Sequence, residues 1–137
     1  MLHISKISLP SGLKSTVLRE RAARGHCAKS QEFVASLDGE EAGLLSYEDW
    51  GNKKPGFIYE IFVLPSFRRR GVGNSLLAYA ESYAQQLGCN SVRLKPYALD
   101  QEPEQSQLIA WYAKAGYCQR PDDPEHMEKH LHARGAA

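Results

Sequence analysis

The sequence predicts an α/β fold built on a mixed β-sheet. Two strand-like segments flank Asp38-Gly39, and an Asp-Gly pair between such segments is a strong short-range signal for an antiparallel hairpin. Further along the chain, strand-like runs alternate with segments whose apolar residues recur at helical spacing. A hairpin followed by alternating strands and helices is typical of a mixed sheet covered by helices, and it disfavours a helical bundle or a β-sandwich.

The first half of the chain predicts three strands and one helix. Residues 4–9 can form a short strand, and the turn at residues 10–12 then opens a helical stretch that ends at Gly25. The hairpin strands are residues 32–37 and 42–47. The apolar residues expected along one side of the helical stretch are Leu13, Val17 and Leu18.

The second half predicts four strands and two helices. The apolar run at residues 57–64 is the best strand candidate in the chain. A helix follows from residue 74 to its stop at Gly88, with one apolar face formed by Leu76, Ala80, Tyr83, Ala84 and Leu87. The remaining elements are a strand at residues 91–95, a helix at about residues 105–115, and strands at residues 117–120 and 126–131.

Size and charge limit the classes of protein. With 137 residues, 42% of them hydrophobic, the chain fits one domain over residues 1–137. The 17 Lys and Arg residues nearly balance the 16 Asp and Glu residues, so no whole-surface field favours a nucleic acid or a membrane. No apolar run has the length of a bilayer span, and the first residues lack the pattern of a signal peptide. We therefore expect a cytoplasmic protein.

The cysteines and histidines give no clear metal-binding pattern. The three cysteines are widely spaced and lack a C-x-x-C pair, so we expect free thiols at Cys27, Cys89 and Cys118. His126, His130 and His132 would share one face of a strand, which leaves a metal site as an alternative. No Cys or carboxylate completes a known ligand spacing with them, so we expect no metal.

A basic, glycine-rich turn lies between the strand at residues 57–64 and the helix after it. The turn reads Arg68-Arg69-Arg70-Gly71-Val72-Gly73. Glycines let backbone N–H groups approach a ligand, and a helix N-terminus adds partial positive charge, so the turn predicts a phosphate-bearing ligand. An exposed basic turn that merely links strand to helix is the alternative.

The spacing of this turn excludes two common phosphate-binding motifs. Leu76 stands where the dinucleotide fingerprint requires its third glycine, and the chain has no Gly-Lys-Ser/Thr triplet of a P-loop. Nucleic-acid binding by the three arginines is disfavoured because no aromatic stacking pattern accompanies them.

Two segments, in a fixed order, carry a family resemblance. Residues 59–73 read YEIFVLPSFRRRGVG, and residues 108–117 read LIAWYAKAGY. They resemble the acetyl-coenzyme A binding segment and the tyrosine-bearing second signature of the GNAT superfamily of N-acetyltransferases. Residues 127–131 are similar to that family's closing strand.

The resemblance implies a fold and an activity. The fold is a mixed, mostly antiparallel central sheet of six to seven strands flanked by helices. The activity is transfer of the acetyl group of acetyl-CoA, as co-substrate, to a primary amine of a small molecule or a protein, by direct attack in a ternary complex. Many members dimerise, so a homodimer is compatible with the resemblance. A non-catalytic CoA-binding sensing or interaction module with the same fold is the alternative.

The resemblance also implies which residues bind the cofactor. The pyrophosphate would lie on N–H groups of the turn, and a backbone N–H around Phe62 or Val63 would hold the thioester oxygen and stabilise the oxyanion. Gln105 stands where the family commonly shows Asn. The implied cofactor-binding residues are Phe62, Val63, Arg68, Arg69, Arg70, Gly71, Val72, Gly73, Asn74, Ser75 and Gln105.

Two residues are candidates for catalysis. An alkylamine with a pKa near 10.4 is mostly protonated at pH 7, so its proton must be removed before it attacks. Glu60, within an otherwise apolar strand, is the candidate base, because the family often places one at such a position. An exposed or arginine-paired carboxylate is the alternative. Tyr112 matches the family's proton donor to the departing thiolate, with a core tyrosine as the alternative.

An acidic segment precedes the tyrosine-bearing helix. Asp100, Glu102 and Glu104 would attract a cationic amine if they lay near the acceptor. A solvated acidic loop is the other interpretation.

Overall fold

A computed structural model of the protein describes residues 1–51, 54–96 and 105–131. These residues contain a seven-stranded sheet in the order β1-β2-β3-β4-β5-β7-β6. The strands are β1 (Leu2–Ile7), β2 (Ser30–Leu37), β3 (Glu40–Asp49), β4 (Gly56–Val63), β5 (Ser91–Leu94), β6 (Cys118–Arg120) and β7 (Asp123–His130). The α-helices are α1 (Thr16–Gly25), α2 (Val72–Gln86) and α3 (Gln105–Lys114). The predicted mixed, mostly antiparallel sheet is therefore confirmed.

The hairpin between β2 and β3 forms at the predicted dipeptide. Asp38 and Gly39 both have positive φ angles, 52° and 86°, which a tight two-residue hairpin turn requires. β1 then pairs with β2, and β3 with β4, all antiparallel. This half of the sheet is therefore entirely antiparallel.

The sheet opens between β4 and β5, which form its parallel pair. Within the described residues, the two strands pair only over Gly56–Ile58 and Val92–Leu94. β4 continues to Val63 while β5 ends at Leu94. Among residues 1–51, 54–96 and 105–131, no strand pairs with the β5 side of β4 from Tyr59 onward, and we call it the open edge of β4.

A β-bulge at Tyr59 changes which side chains face each side of the sheet. Ser46 pairs with Glu60 and Tyr47 pairs with Ile58, so Tyr59 is the extra residue in β4. Ile58 lies in the larger apolar core, whereas Phe62 packs with residues of α1. The bulge thus directs Glu60 and Phe62 toward α1.

Two apolar layers lie on opposite sides of the sheet. The larger one contains the buried face of α2 together with Tyr112 of α3 and Tyr117. The smaller one lies under α1 and consists of Leu13, Leu18, Ala22, Val34, Leu44 and Phe62. No described helix is long and apolar enough to cross a membrane.

The prediction that Leu13, Val17 and Leu18 lie along one side of the helix is wrong, because Val17 is 45% exposed whereas Leu13 and Leu18 are buried. The helix begins only at Thr16, where the Ser15 hydroxyl accepts a hydrogen bond from the Leu18 N–H, and Leu13 precedes it. The sheet-facing side of α1 is set instead by Leu18, Arg21, Ala22 and Gly25.

Candidate active site

A cleft of about 370 Å³ lies at the end of β4, next to the opening in the sheet. Its walls come from β4, the basic turn, the first turn of α2, and α3. The residues around it are Ile61, Phe62, Val63, Phe67, Arg68, Arg69, Gly71, Val72, Gly73, Asn74, Gln107, Leu108 and Trp111. Most of the residues that the sequence implicates in cofactor binding are thus brought together.

Some of the implicated residues lie elsewhere. The Arg70 guanidinium is 5.5 Å from the centre of the Phe67 ring and does not border the cleft. Ser75 also lies outside its wall, and its N–H donates to the Gly71 carbonyl at 3.0 Å, in the first helical hydrogen bond of α2. The side chain of residue 105 is outside the described part of the chain, as are Asp100, Glu102, Glu104 and His132.

Five further residues border the cleft that are not among the implied cofactor-binding residues. They are Ile61, Phe67, Gln107, Leu108 and Trp111. Leu108 and Trp111 are three residues apart on α3, and side chains at that spacing share a helix face. This face could have been read from the sequence once the helix was placed.

The basic turn is shaped by two residues in the left-handed backbone region. Arg69 has φ 64° and Gly71 has φ 81°, and Gly71 occupies the N-cap position of α2. Backbone N–H groups in the first turn of a helix have no partner within the helix, and the helix dipole adds positive charge there. Since Val72, Gly73 and Asn74 border the cleft, their N–H groups are available to bind an anion at one end of it, and we call them the N–H cradle.

Gly73 leaves space beside Trp111 in the cleft. A Cβ atom on Gly73 would lie 3.3 Å from Trp111 Cζ2 and 3.6 Å from Val63 Cγ2. The absence of a Cβ at Gly73 therefore leaves the cleft wider between α2, α3 and β4.

The direction of the β4 backbone identifies which N–H groups face the opening. The Leu64 N–H donates to the Ala42 carbonyl of β3 at 2.8 Å. The Phe62 carbonyl also faces β3, since it lies 2.9 Å from where a Cβ on Gly43 would be. Backbone groups alternate along a strand, so the N–H groups of Ile61 and Val63 face the opening. Of the two candidates for the oxyanion donor, geometry favours Val63 over Phe62.

Glu60 forms a buried ion pair with Arg21 of α1. Arg21 Nη1 donates to Glu60 Oε2, and the two side chains are only 7% and 10% exposed. The structure therefore shows the arginine-paired form of Glu60, which the sequence left open as one alternative. The sequence analysis did not identify Arg21. Its spacing from Leu18 and Ala22 places it on the apolar face of α1, and a charged residue on such a face was the available signal.

The ring of Phe62 joins this ion pair to the basic turn. The Arg21 guanidinium carbon lies 3.6 Å from the centre of the ring, and that of Arg68 lies 5.4 Å from it. Arg68 Nε also donates to the Val63 carbonyl at 3.0 Å. The carboxylate, the open edge of β4 and the turn thus form one connected cluster.

Tyr112 is buried, with 4% of its surface exposed, beside the rings of Trp111 and Tyr117. Burial, and secondarily the charge of Glu60, raise the pKa of the Tyr112 phenol well above its usual range. The phenol is therefore protonated at neutral pH and can donate a hydrogen bond. Its ring packs edge-to-face with the ring of Trp111, and it does not border the cleft itself.

The metal alternative gains no support from the described residues, among which no group of three or more His, Cys, Asp or Glu side chains could hold an ion. The cysteines are free thiols.

Comparison with known proteins decides the family. The sequence profile of the acetyltransferase (GNAT) family matches residues 5–117. The chain belongs to the GNAT family. A GNAT acetyltransferase from Elizabethkingia anophelis, solved with acetyl-CoA bound, shares the fold with a TM-score of 0.69 at 12% identity, covering 95% of this chain and 98% of that one.

Two curated relatives match part of this GNAT chain. An uncharacterised N-acetyltransferase of Archaeoglobus fulgidus is 41% identical over 61 residues, covering 41% of this chain and 42% of that protein. The streptothricin acetyltransferase of Streptomyces lavendulae is 34% identical over 79 residues, covering 56% of this chain and 41% of that protein. The matches thus span about two fifths of the length of these relatives.

Proposed function

We propose that this chain is an acetyl-CoA-dependent N-acetyltransferase that acts on a primary amine. The observation that carries the proposal is the cleft, in which the N–H cradle of α2 adjoins the open edge of β4. This combination can hold a pyrophosphate and a thioester at once. The bound acetyl-CoA in the E. anophelis protein and the names of the two curated relatives support it.

The N–H groups of Val72, Gly73 and Asn74 would bind the pyrophosphate. Arg69, which borders the same end of the cleft, adds positive charge. The pantetheine arm would lie along the open edge of β4, where its amides can pair with backbone groups as an added strand would. Leu108 and Trp111 would cover its apolar parts.

The thioester would lie at the Val63 N–H. This donor faces the opening, so it can stabilise the negative charge that develops on the carbonyl oxygen when the amine attacks. The sulfur would lie where the cleft meets the opening between β4 and β5, and there the buried Tyr112 phenol would donate a hydrogen bond to it as it departs. Because its pKa is raised while a thiol titrates near 8.5, full proton transfer from Tyr112 to the thiolate is unfavourable, and stabilisation by the hydrogen bond is the favoured role.

Glu60 would accept the proton of the amine through water. Its carboxylate lies on the α1 side of the sheet, where it pairs with Arg21. Its charge also contributes to the raised pKa of Tyr112 on the other side, as expected if both groups border the opening between β4 and β5. None of the three cysteines borders the cleft. We therefore propose direct attack in a ternary complex.

Release of thiol from acetyl-CoA tests the proposal. The purified protein would be mixed with acetyl-CoA and with diamines, amino acids, streptothricin and short peptides in turn, and the products would be identified by mass spectrometry. We expect thiol release only with an accepting amine, with one acetylated product per thiol. Gly73→Val, which places a branched side chain in the cleft between Trp111 and Val63, should abolish it. Binding of acetyl-CoA without amine-dependent thiol release would instead favour a non-catalytic CoA-binding module.

A further inference from the structure

We propose that Arg21 is a positioning residue for acetyl transfer, which holds the Glu60 carboxylate at the opening between β4 and β5. The inference rests on the proposed function and concerns the same site. It assigns a role in the reaction to helix α1, which lies outside the cofactor cleft.

The burial of Arg21 is the first argument. Arg21 lies on the sheet-facing side of α1 between Leu18 and Ala22, and its side chain is 7% exposed. Taking a guanidinium and a carboxylate out of water costs several kcal/mol per ion, and apolar residues of similar volume often stabilise a protein as well or better. The Arg21–Glu60 pair is therefore poorly explained by stability alone.

The contacts of the guanidinium are the second argument. The Arg21 guanidinium donates a hydrogen bond to Glu60, and its planar face packs on the Phe62 ring, with 3.6 Å between the guanidinium carbon and the ring centre. Arg68 approaches the same ring and donates to the Val63 carbonyl. The orientation of Glu60 is thereby linked to the strand edge that would bind the thioester.

The charged groups around Glu60 give the chemical consequence. Among the described residues, Arg21 is a cation in direct contact with Glu60, and the protonated phenol of Tyr112, on α3, is a titratable group whose pKa the Glu60 charge raises. Glu32, on β2, accepts a hydrogen bond from the Ser46 hydroxyl and is also hydrogen-bonded to His26, the C-cap residue of α1. Since a neighbouring guanidinium favours the ionised carboxylate, Arg21 would keep Glu60 ready to accept a proton at lower pH.

Three variants test the role. Arg21→Met removes the charge and the hydrogen bond, Arg21→Lys keeps the charge without the planar contact on Phe62, and Arg24→Met is the matched control, because Arg24 is an exposed arginine of the same helix. The readouts are the pH dependence of kcat/KM, the KM for acetyl-CoA, and the thermal midpoint of each variant.

We expect Arg21→Met to lower kcat/KM at pH 7 by about tenfold or more. The acidic limb of its pH profile should shift to higher pH by about 1–3 pH units. The KM for acetyl-CoA should change less than about twofold, since Arg21 does not border the cleft. Arg21→Lys should keep the acidic limb in place but lower kcat, and Arg24→Met should match the parent protein.

Each outcome decides a separate claim. A folded Arg21→Met with the parent's pH profile would overturn the positioning role while leaving the proposed function intact. If Arg21→Met does not fold, Arg21→Lys decides, and an unchanged kcat would overturn the role. If the parent protein transfers acetyl to no amine, the proposed function fails, and the role of Arg21 in that reaction fails with it.

Discussion

Gly73→Ala should separate folding stability from coenzyme binding. Gly73 is the second residue of α2, and an alanine in a helix interior is favoured over glycine by up to about 1 kcal/mol. The new Cβ would lie 3.3 Å from Trp111 Cζ2, a tight contact that offsets part of this gain. We therefore expect the free energy of unfolding to stay within about 1 kcal/mol of the parent.

The same methyl group should weaken coenzyme A binding. It projects between Trp111 and Val63, where it narrows the cleft and displaces the ligand from the N–H cradle. Loss of one hydrogen bond to a charged phosphate group costs about 1.5–3 kcal/mol, which corresponds to a roughly 10- to 150-fold rise in Kd.

Isothermal titration calorimetry with coenzyme A and denaturant unfolding measure the two effects separately. Gly12→Ala is the matched control, because a Cβ at Gly12 would meet no atom within 4 Å. A Gly73→Ala protein that binds coenzyme A like the parent would refute the placement of the pyrophosphate. Loss of binding in parallel with loss of stability would refute the steric argument.

Tyr112→Phe should lower kcat by roughly 10- to 150-fold with little change in coenzyme A affinity, because it removes a hydrogen bond to developing charge; equal kcat values in stopped-flow assays would remove Tyr112 from the mechanism. Burial raises the pKa of the Tyr47, Tyr112 and Tyr117 phenols above 10, so the folded state binds their protons more tightly than the unfolded state does. The resulting contribution to the free energy of unfolding is complete below pH 10 and is lost as the pH rises above it. Unfolding free energies measured from pH 9 to 11.5 should fall by up to about 4 kcal/mol per pH unit above pH 10, and by about a third less in Tyr47→Phe, whereas a flat profile would contradict the burial of these phenols. Gly56→Ala should destabilise the protein strongly, because its Cβ would overlap the hydroxyl end of the buried Tyr47 side chain. An unchanged thermal midpoint would contradict the packing of Tyr47 against β4.

Local features of the fold were accessible from the sequence. Asp38-Gly39 predicted the hairpin because a two-residue turn needs positive φ angles, and few residues adopt them easily. The glycine-rich turn before α2 was visible for the same reason, through Gly71. Each of these features depends on residues that are adjacent in the chain.

Features that depend on pairing between distant segments were not accessible. Whether Phe62 or Val63 presents its N–H to the opening depends on the register with β3, and the bulge at Tyr59 shifts that register. The partner of Glu60 depends on how α1 packs across the sheet, 39 residues away in sequence. The apolar spacing of Leu13, Val17 and Leu18 misplaced Val17, because α1 begins only after the Ser15 N-cap and Leu13 is therefore not part of the helix.

The most direct test of the account is a crystal structure of the protein with coenzyme A. We predict the pyrophosphate on the N–H groups of residues 72–74, the pantetheine arm along the open edge of β4, and the sulfur near the Tyr112 hydroxyl and the Val63 N–H. A coenzyme bound elsewhere, or one whose thiol lies far from the opening between β4 and β5, would contradict the proposed site and the chemistry assigned to it.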